Sequence, residues 1–184
     1  MKTAVLVVDM QKDFFTSERL LGAKDALIAH FNFLTDCARQ NNVAVLWVRQ
    51  EMKPDMSDAP QGDRKLGRSF VVVGTEGAQL LEGLTVGKSD REIIKTRYSP
   101  FYQTNLEELL RQDGIERLIV AGINTHACVR MAVIDAYQRD YEVILATDCI
   151  NSLDEEHHKI TVKYLSGKIA EPMTNPQLGE LLAS

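Results

Sequence analysis

Cysteine is scarce in this 184-residue sequence, and its spacing argues against two common uses of the residue. The three cysteines, Cys37, Cys128 and Cys149, are odd in number, and none belongs to a Cys-x-x-Cys pair. The sequence therefore predicts neither a disulfide framework nor a cysteine-based metal site. Each cysteine is then either a small core residue or a single reactive thiol.

The sequence also lacks an excess of positive charge and any long apolar run. Its formal net charge is −5, with 26 acidic residues against 21 basic ones. Nucleic acids and anionic membranes need a basic face, so neither is expected as a partner. No apolar run approaches the roughly 18 residues of a spanning helix, and the first residues lack the pattern of a signal peptide. We therefore expect a cytoplasmic protein.

Apolar runs alternate with amphipathic runs along the whole chain. Runs such as "TAVLVVD" (3–9) are typical of strands buried on both faces of a parallel sheet. The predicted strands are 3–9, 43–49, 91–97, 116–123, 141–148 and 167–172, and the predicted helices are 23–42, 104–114, 125–140, 152–165 and 175–183. This alternation predicts a single α/β domain over 1–184, a Rossmann-like sandwich whose sheet has about six mainly parallel strands and helices on both faces.

Two finer patterns accompany this alternation. The spacings Thr104-x-x-Glu107 and Ser152-x-x-Glu155 predict capping boxes at two helix starts. Residues 50–70 are polar, contain proline and glycine, and show no period, so they predict a long loop. Loops of this length in compact domains are often functional.

Three chemically reactive residues follow predicted strands: Asp9, Lys95 and Cys128. Ligands of parallel sheets bind at the carboxyl ends of the strands, so one sheet edge can gather all three. If Thr125 caps the next helix, Cys128 lies in its first turn, where the helix dipole lowers a thiol pKa. From the residues alone, Cys128 is a core residue or a nucleophile, Asp9 a backbone acceptor or a base, and Lys95 a solvated side chain or a partner for both anions.

Three blocks, "VVDMQKDF", "IIKTRYSPF" and "GINTHACV", closely resemble the isochorismatase-like cysteine hydrolase superfamily over residues 3–172. The resemblance implies a catalytic triad in which Asp9 takes the thiol proton and Lys95 holds the charges. Cys128 then attacks a carbonyl carbon to form an acyl-enzyme. Members of this kind hydrolyse amide, carbamoyl or ureido C–N bonds of small molecules.

The same resemblance implies further features of the site and of the assembly. A cis Ile123–Asn124 bond would direct the Asn124 N–H, together with that of Cys128, into an oxyanion hole. The chain is expected to form a homo-oligomer, a dimer or a tetramer. The residues expected to line the substrate pocket are Gln11, Phe14, Tyr98, Phe101 and His126, whereas His30, His157 and His158 are interpreted as helix-surface residues.

Two departures from related branches narrow the expected activity. Isochorismate hydrolases, which cleave a vinyl ether, usually lack the cysteine that this chain keeps. The metal-dependent branch has histidines after the second strand, whereas "WVRQEMKPDMSDAPQGD" has none. We therefore predict a metal-independent amidohydrolase without a cofactor. The alternatives are a non-catalytic or thiol-redox protein of the same fold, or a vinyl ether hydrolase.

Overall fold

Six parallel strands form one sheet at the centre of the computed structural model, which describes residues 1–184. The strands are Thr3–Val8 (β1), Ala44–Gln50 (β2), Arg91–Lys95 (β3), Arg117–Gly122 (β4), Glu142–Ile150 (β5) and Glu171–Met173 (β6). Their order in the sheet is β3-β2-β1-β4-β5-β6, and every neighbouring pair is parallel. The predicted α/β fold with a six-stranded sheet is confirmed.

Helices cover both faces of the sheet. The helices are Glu18–Gln40 (α1), Gln61–Lys65 (α2), Leu106–Gln112 (α3), Arg130–Tyr137 (α4), Glu155–Leu165 (α5) and Asn175–Ala183 (α6). The side chains of Val5 and Val7 in β1 join one buried apolar cluster with residues of α1 and α6, whereas Leu6 and Val8 join a second cluster with residues of α3, α4 and α5. Burial on both faces explains the continuous apolar runs. None of them has the length and apolar character that crossing a bilayer requires.

The two predicted capping boxes are wrong, because a different side chain caps α5 and because α3 begins later than predicted. Helix α5 starts after Asp154, whose carboxylate accepts the His157 N–H at 2.8 Å, so Ser152 lies outside the helix. Helix α3 starts only at Leu106, and its Glu107 pairs with Arg139 instead.

Two further elements differ from the sequence-based expectation. The polar segment 50–70 contains the short helix α2, which its aperiodic sequence does not predict. Helix α1 begins five residues before its predicted start of 23, at Glu18, where the Ser17 hydroxyl accepts the Leu20 N–H at 3.2 Å.

The strand order places a topological switch between β1 and β4. From β1 the chain adds β2 and β3 on one side and then crosses to add β4, β5 and β6 on the other. Gly122 ends β4 with φ of 137°, and a Cβ there would lie 2.2 Å from the Val8 carbonyl oxygen, so only glycine permits this close approach. The carboxyl ends of β1 and β4, where such folds bind ligands, are thus held together.

Candidate active site

Asp9 follows β1 directly and points a buried carboxylate into this edge of the sheet. Its backbone has a positive φ of 55°, and its N–H donates to the Val48 carbonyl at 2.9 Å, which fixes the turn. Oδ2 accepts a hydrogen bond from Lys95 at 2.8 Å. Oδ1 is buried and has no hydrogen-bond partner in the chain. An unpaired buried carboxylate oxygen is costly, so this atom is a free acceptor for a proton in the site.

Lys95 is the last residue of β3 and is only 1% exposed. Its Nζ donates to Asp9 Oδ2 at 2.8 Å and to the Arg97 carbonyl at 3.0 Å. It also lies 3.2 Å from Gln50 Oε1 and 3.5 Å from Cys128 Sγ. The ammonium therefore joins the carboxylate to the thiol, and the structure brings Asp9, Lys95 and Cys128 together.

Cys128 lies in a π-helical turn, Thr125–Val129, that connects β4 to α4. Such turns are rare in proteins as a whole, but those that occur are often found at functional sites. The Asn124 carbonyl accepts hydrogen bonds from the N–H of Ala127 at 3.0 Å and from that of Val129 at 3.3 Å. It accepts none from the N–H of Cys128, which lies between them in the chain. The Asn124 N–H has no acceptor in the chain, and the Ile123–Asn124 bond is cis, as predicted.

The electrostatics of Cys128 differ from the sequence-based expectation. Burial raises the pKa of the Cys128 thiol, and the Asp9 charge adds to this effect, while Lys95 opposes it. The predicted lowering by a helix terminus was wrong, because the thiol is only 4% exposed and lies beside a carboxylate. The resting thiol is therefore protonated at neutral pH and needs a base.

The two charged partners influence each other's pKa. Burial raises the pKa of Asp9, although Lys95 acts against it. Burial alone would lower the pKa of Lys95, but the charge of Asp9 holds it above its ordinary value. Lys95 is therefore a permanent cation, and Asp9 is the group whose proton affinity burial increases.

Two residues predicted to line the substrate pocket are buried and make contacts within the chain. The Gln11 side chain is buried, and its amide is fully used by Gln50 N, Gln50 O and the Ala78 carbonyl, each at 2.8 Å. Phe101 is buried in the apolar core, 6.3 Å from the Tyr141 ring and 4.7 Å below the Arg139 guanidinium. Neither side chain offers a free group to a ligand.

The other three residues predicted to line the pocket are more accessible. The half-buried Phe14 ring meets Phe70 edge to face at 6.1 Å. Tyr98 is 57% exposed and lines a surface cleft of about 580 Å³. His126 is half-buried, and its Nδ1 lies in hydrogen-bond contact with the Ser152 hydroxyl. Contact of these three side chains with a substrate stays a prediction.

The structure adds one side chain that the sequence did not single out and corrects the interpretation of another. Gln50 lies beside Lys95 because these residues are in register across β2 and β3. His158, interpreted above as a surface residue, is half-buried, and its Nδ1 lies 2.9 Å from the Thr125 hydroxyl. Both contacts depend on strand register and helix packing, which no local sequence pattern reveals.

The acidic residues after β2 do not fit a transition-metal site. Glu51 pairs with Arg49 at 2.9 Å, and the carboxylates of Asp55 and Asp58 accept backbone N–H groups of their own loop at 3.0 and 2.9 Å. The chain contains no group of three histidine, cysteine or acidic side chains with the geometry of a metal site. Zinc and iron sites draw on such sets.

Comparisons with known proteins agree with this fold. The protein-family model for the Isochorismatase domain matches residues 3–177 of the chain. A protein of Arabidopsis thaliana named "Probable inactive nicotinamidase" is 33% identical over 170 residues, which are 87% of this chain and 86% of that protein. Enterobactin synthase component B of Escherichia coli is 25% identical over 96% of this chain, which spans 62% of that relative. The crystal structure of a nicotinamidase/pyrazinamidase of Bacillus subtilis has a TM-score of 0.82 at 26% identity, over 94% of this chain and 99% of that one.

Proposed function

The chain belongs to the isochorismatase family, a family of hydrolases, and we propose that it cleaves a C–N bond of a small molecule. The bond would be an amide, carbamoyl or ureido bond, cleaved through Asp9, Lys95 and Cys128. One observation carries the proposal: the buried Lys95 ammonium contacts both Asp9 Oδ2, at 2.8 Å, and Cys128 Sγ, at 3.5 Å. A nucleophile, a base and a group that orients both form the arrangement that covalent acyl transfer requires.

In the first half of the reaction, the Cys128 thiol loses its proton as its sulfur attacks the substrate. The free Oδ1 of Asp9 takes the proton of the Cys128 thiol while the sulfur bonds to the carbonyl carbon. Negative charge then develops on the carbonyl oxygen, and the N–H groups of Asn124 and Cys128 are the proposed donors to it. The proton on Asp9 passes to the leaving nitrogen as the C–N bond breaks, which leaves a thioester.

In the second half, water hydrolyses the thioester. Asp9 is a carboxylate again and takes a proton from the attacking water, and Cys128 leaves and recovers a proton as its thiol. Lys95 stays positively charged throughout, because its pKa lies above the ordinary value. It thereby stabilises whichever neighbour carries the negative charge at each step.

A second candidate function deserves a place in the test, because the relative from Arabidopsis thaliana is named as inactive. A non-catalytic protein with this fold would keep a buried, protonated Cys128 as a core residue. The triad favours the enzyme, because a core cysteine has no need of a buried ion pair beside it.

Assembly into a dimer or tetramer also stays a proposal, which light scattering tests.

The decisive experiment is a screen for ammonia or amine release from a panel of small amides, carbamoyl compounds and ureides. A vinyl ether, scored by release of its carbonyl product, is included for the alternative activity. The matched control is Cys128→Ala, which changes the sulfur alone. We expect release from at least one C–N compound by the wild type and none by the variant. Release from no compound would favour the non-catalytic protein.

A further inference from the structure

The Lys95 ammonium has more acceptors around it than hydrogens to give. An ammonium carries three N–H bonds. Four acceptors surround it: Asp9 Oδ2 at 2.8 Å, the Arg97 carbonyl at 3.0 Å, Gln50 Oε1 at 3.2 Å and Cys128 Sγ at 3.5 Å. A thiol sulfur is a weaker acceptor than an oxygen atom. In the resting site the three oxygen atoms therefore take the three hydrogens, and the contact with the thiol is the weakest of the four.

The Gln50 amide is held in this position by the fold. Gln50 ends β2 in register with Lys95, and it is 1% exposed. Its backbone N–H donates to Gln11 Oε1, and its carbonyl accepts from Gln11 Nε2, each at 2.8 Å. The remaining hydrogen bond of Gln11 goes to the Ala78 carbonyl. Since Gln11 fixes the Gln50 main chain on both sides, the amide oxygen beside Lys95 is a fixed competitor for one N–H.

The competition changes when Cys128 loses its proton. A thiolate is a much stronger acceptor than a thiol, because hydrogen bonds between charged partners are about twice as strong as neutral ones. Of the three oxygen acceptors, Asp9 Oδ2 at 2.8 Å and the Arg97 carbonyl at 3.0 Å both lie nearer to the ammonium than the Gln50 amide oxygen at 3.2 Å. The Gln50 amide is therefore the acceptor that loses an N–H most easily.

We propose that Gln50 is a positioning residue that holds one N–H of Lys95 away from Cys128 at rest and yields it to the sulfur when the thiolate forms. This inference rests on the proposed roles of Lys95 and Cys128, and it requires no particular substrate. It predicts that removal of the amide oxygen makes the thiolate easier to form, although the nucleophile itself is untouched.

The test measures the alkylation of Cys128 in Gln50→Leu, with labelled peptides identified by mass spectrometry. We expect the rate constant at about pH 8 to rise about tenfold, as one pKa unit in thiolate formation implies. Two reagents of different size separate chemistry from local opening, because easier ionisation accelerates both equally. The exposed Gln112→Leu on α3 is the matched control and should label like the wild type.

A second variant, Gln50→Glu, nearly preserves the shape of the side chain and guards against a misfolded leucine variant. Its added acid cannot favour a neighbouring thiolate, so its rate should equal or fall below that of the wild type. An unchanged or slower rate in a folded Gln50→Leu, a faster rate in Gln50→Glu, or a changed ratio between the two reagents would overturn the inference. Alkylation needs no turnover, so a failed amide screen and a failed positioning role remain distinguishable.

Discussion

The buried ion pair of Asp9 and Lys95 makes Lys95→Met the most informative change for stability. The two side chains are 2.8 Å apart and at most 1% exposed. Methionine keeps roughly the volume of the lysine stem but removes the ammonium, and so leaves the Asp9 carboxylate buried without a partner. Removal of one partner from a buried pair costs about 3 to 5 kcal/mol, so we expect a loss of that size at about pH 8.

This loss should depend on pH in a defined direction. Without Lys95, the strongest influence opposing the effect of burial is gone, so the pKa of Asp9 rises further. A carboxyl group whose pKa is higher in the folded than in the unfolded state binds more protons when folded. Stability then falls as pH rises from the unfolded value towards the folded one. The loss in Lys95→Met should therefore be smaller at about pH 5 than at about pH 8.

Urea denaturation at both pH values measures these losses, with the fluorescence of the single, buried Trp47 as the probe. The control is the double variant Asp9→Asn/Lys95→Met, which has no charge to bury and should regain much of the loss at the higher pH. A loss of less than about 1 kcal/mol at about pH 8 would refute the reasoning. An equal loss at both pH values, or a double variant weaker than the single one, would also refute it.

Three further predictions concern the fold, the base and the metal. Gly122→Ala should cost about 2 kcal/mol or more, because its Cβ would meet the Val8 carbonyl at 2.2 Å, whereas Gly167→Ala, with open space, should cost less in the same thermal denaturation. On a confirmed substrate, kcat/KM should fall in acid with a midpoint above an ordinary carboxyl pKa, because burial raises the pKa of Asp9. It should not fall between neutral pH and about pH 9, because the pKa of Lys95 is raised as well. A pH–rate profile with its midpoint near pH 4 would contradict this assignment. Turnover should survive exhaustive chelation, and loss of activity that zinc, iron or manganese restores would reverse the interpretation of the loop carboxylates.

The sequence predicted the sheet well because its central strands are buried on both faces. Residues such as Val5 and Leu6 belong to opposite apolar clusters, and a parallel sheet covered on both sides is typically built from such continuous runs. The positions of Asp9, Lys95 and Cys128 at one edge follow from the same topology. What failed depended on tertiary packing: the pKa of Cys128 is governed by depth of burial rather than by the helix terminus.

Local sequence patterns also failed where tertiary contacts decide the role of a side chain. Ser152 has the spacing of a cap, yet Asp154 caps the helix and the Ser152 hydroxyl contacts His126. Gln50 reads as the first polar residue of a loop, and its contact with Lys95 becomes visible only with the register of β2 and β3. Residue chemistry indicates which side chains can react, but strand register decides which of them meet.

The central claim is that Cys128 carries the acyl group of the substrate, and a quench experiment tests it most directly. With a compound that releases ammonia or amine in the screen, turnover is stopped by acid, and the peptide containing Cys128 is weighed by mass spectrometry. We predict an added mass equal to the acyl fragment on Cys128 in the wild type, and neither adduct nor product in Cys128→Ala. Near wild-type product release by a folded Cys128→Ala would contradict the account.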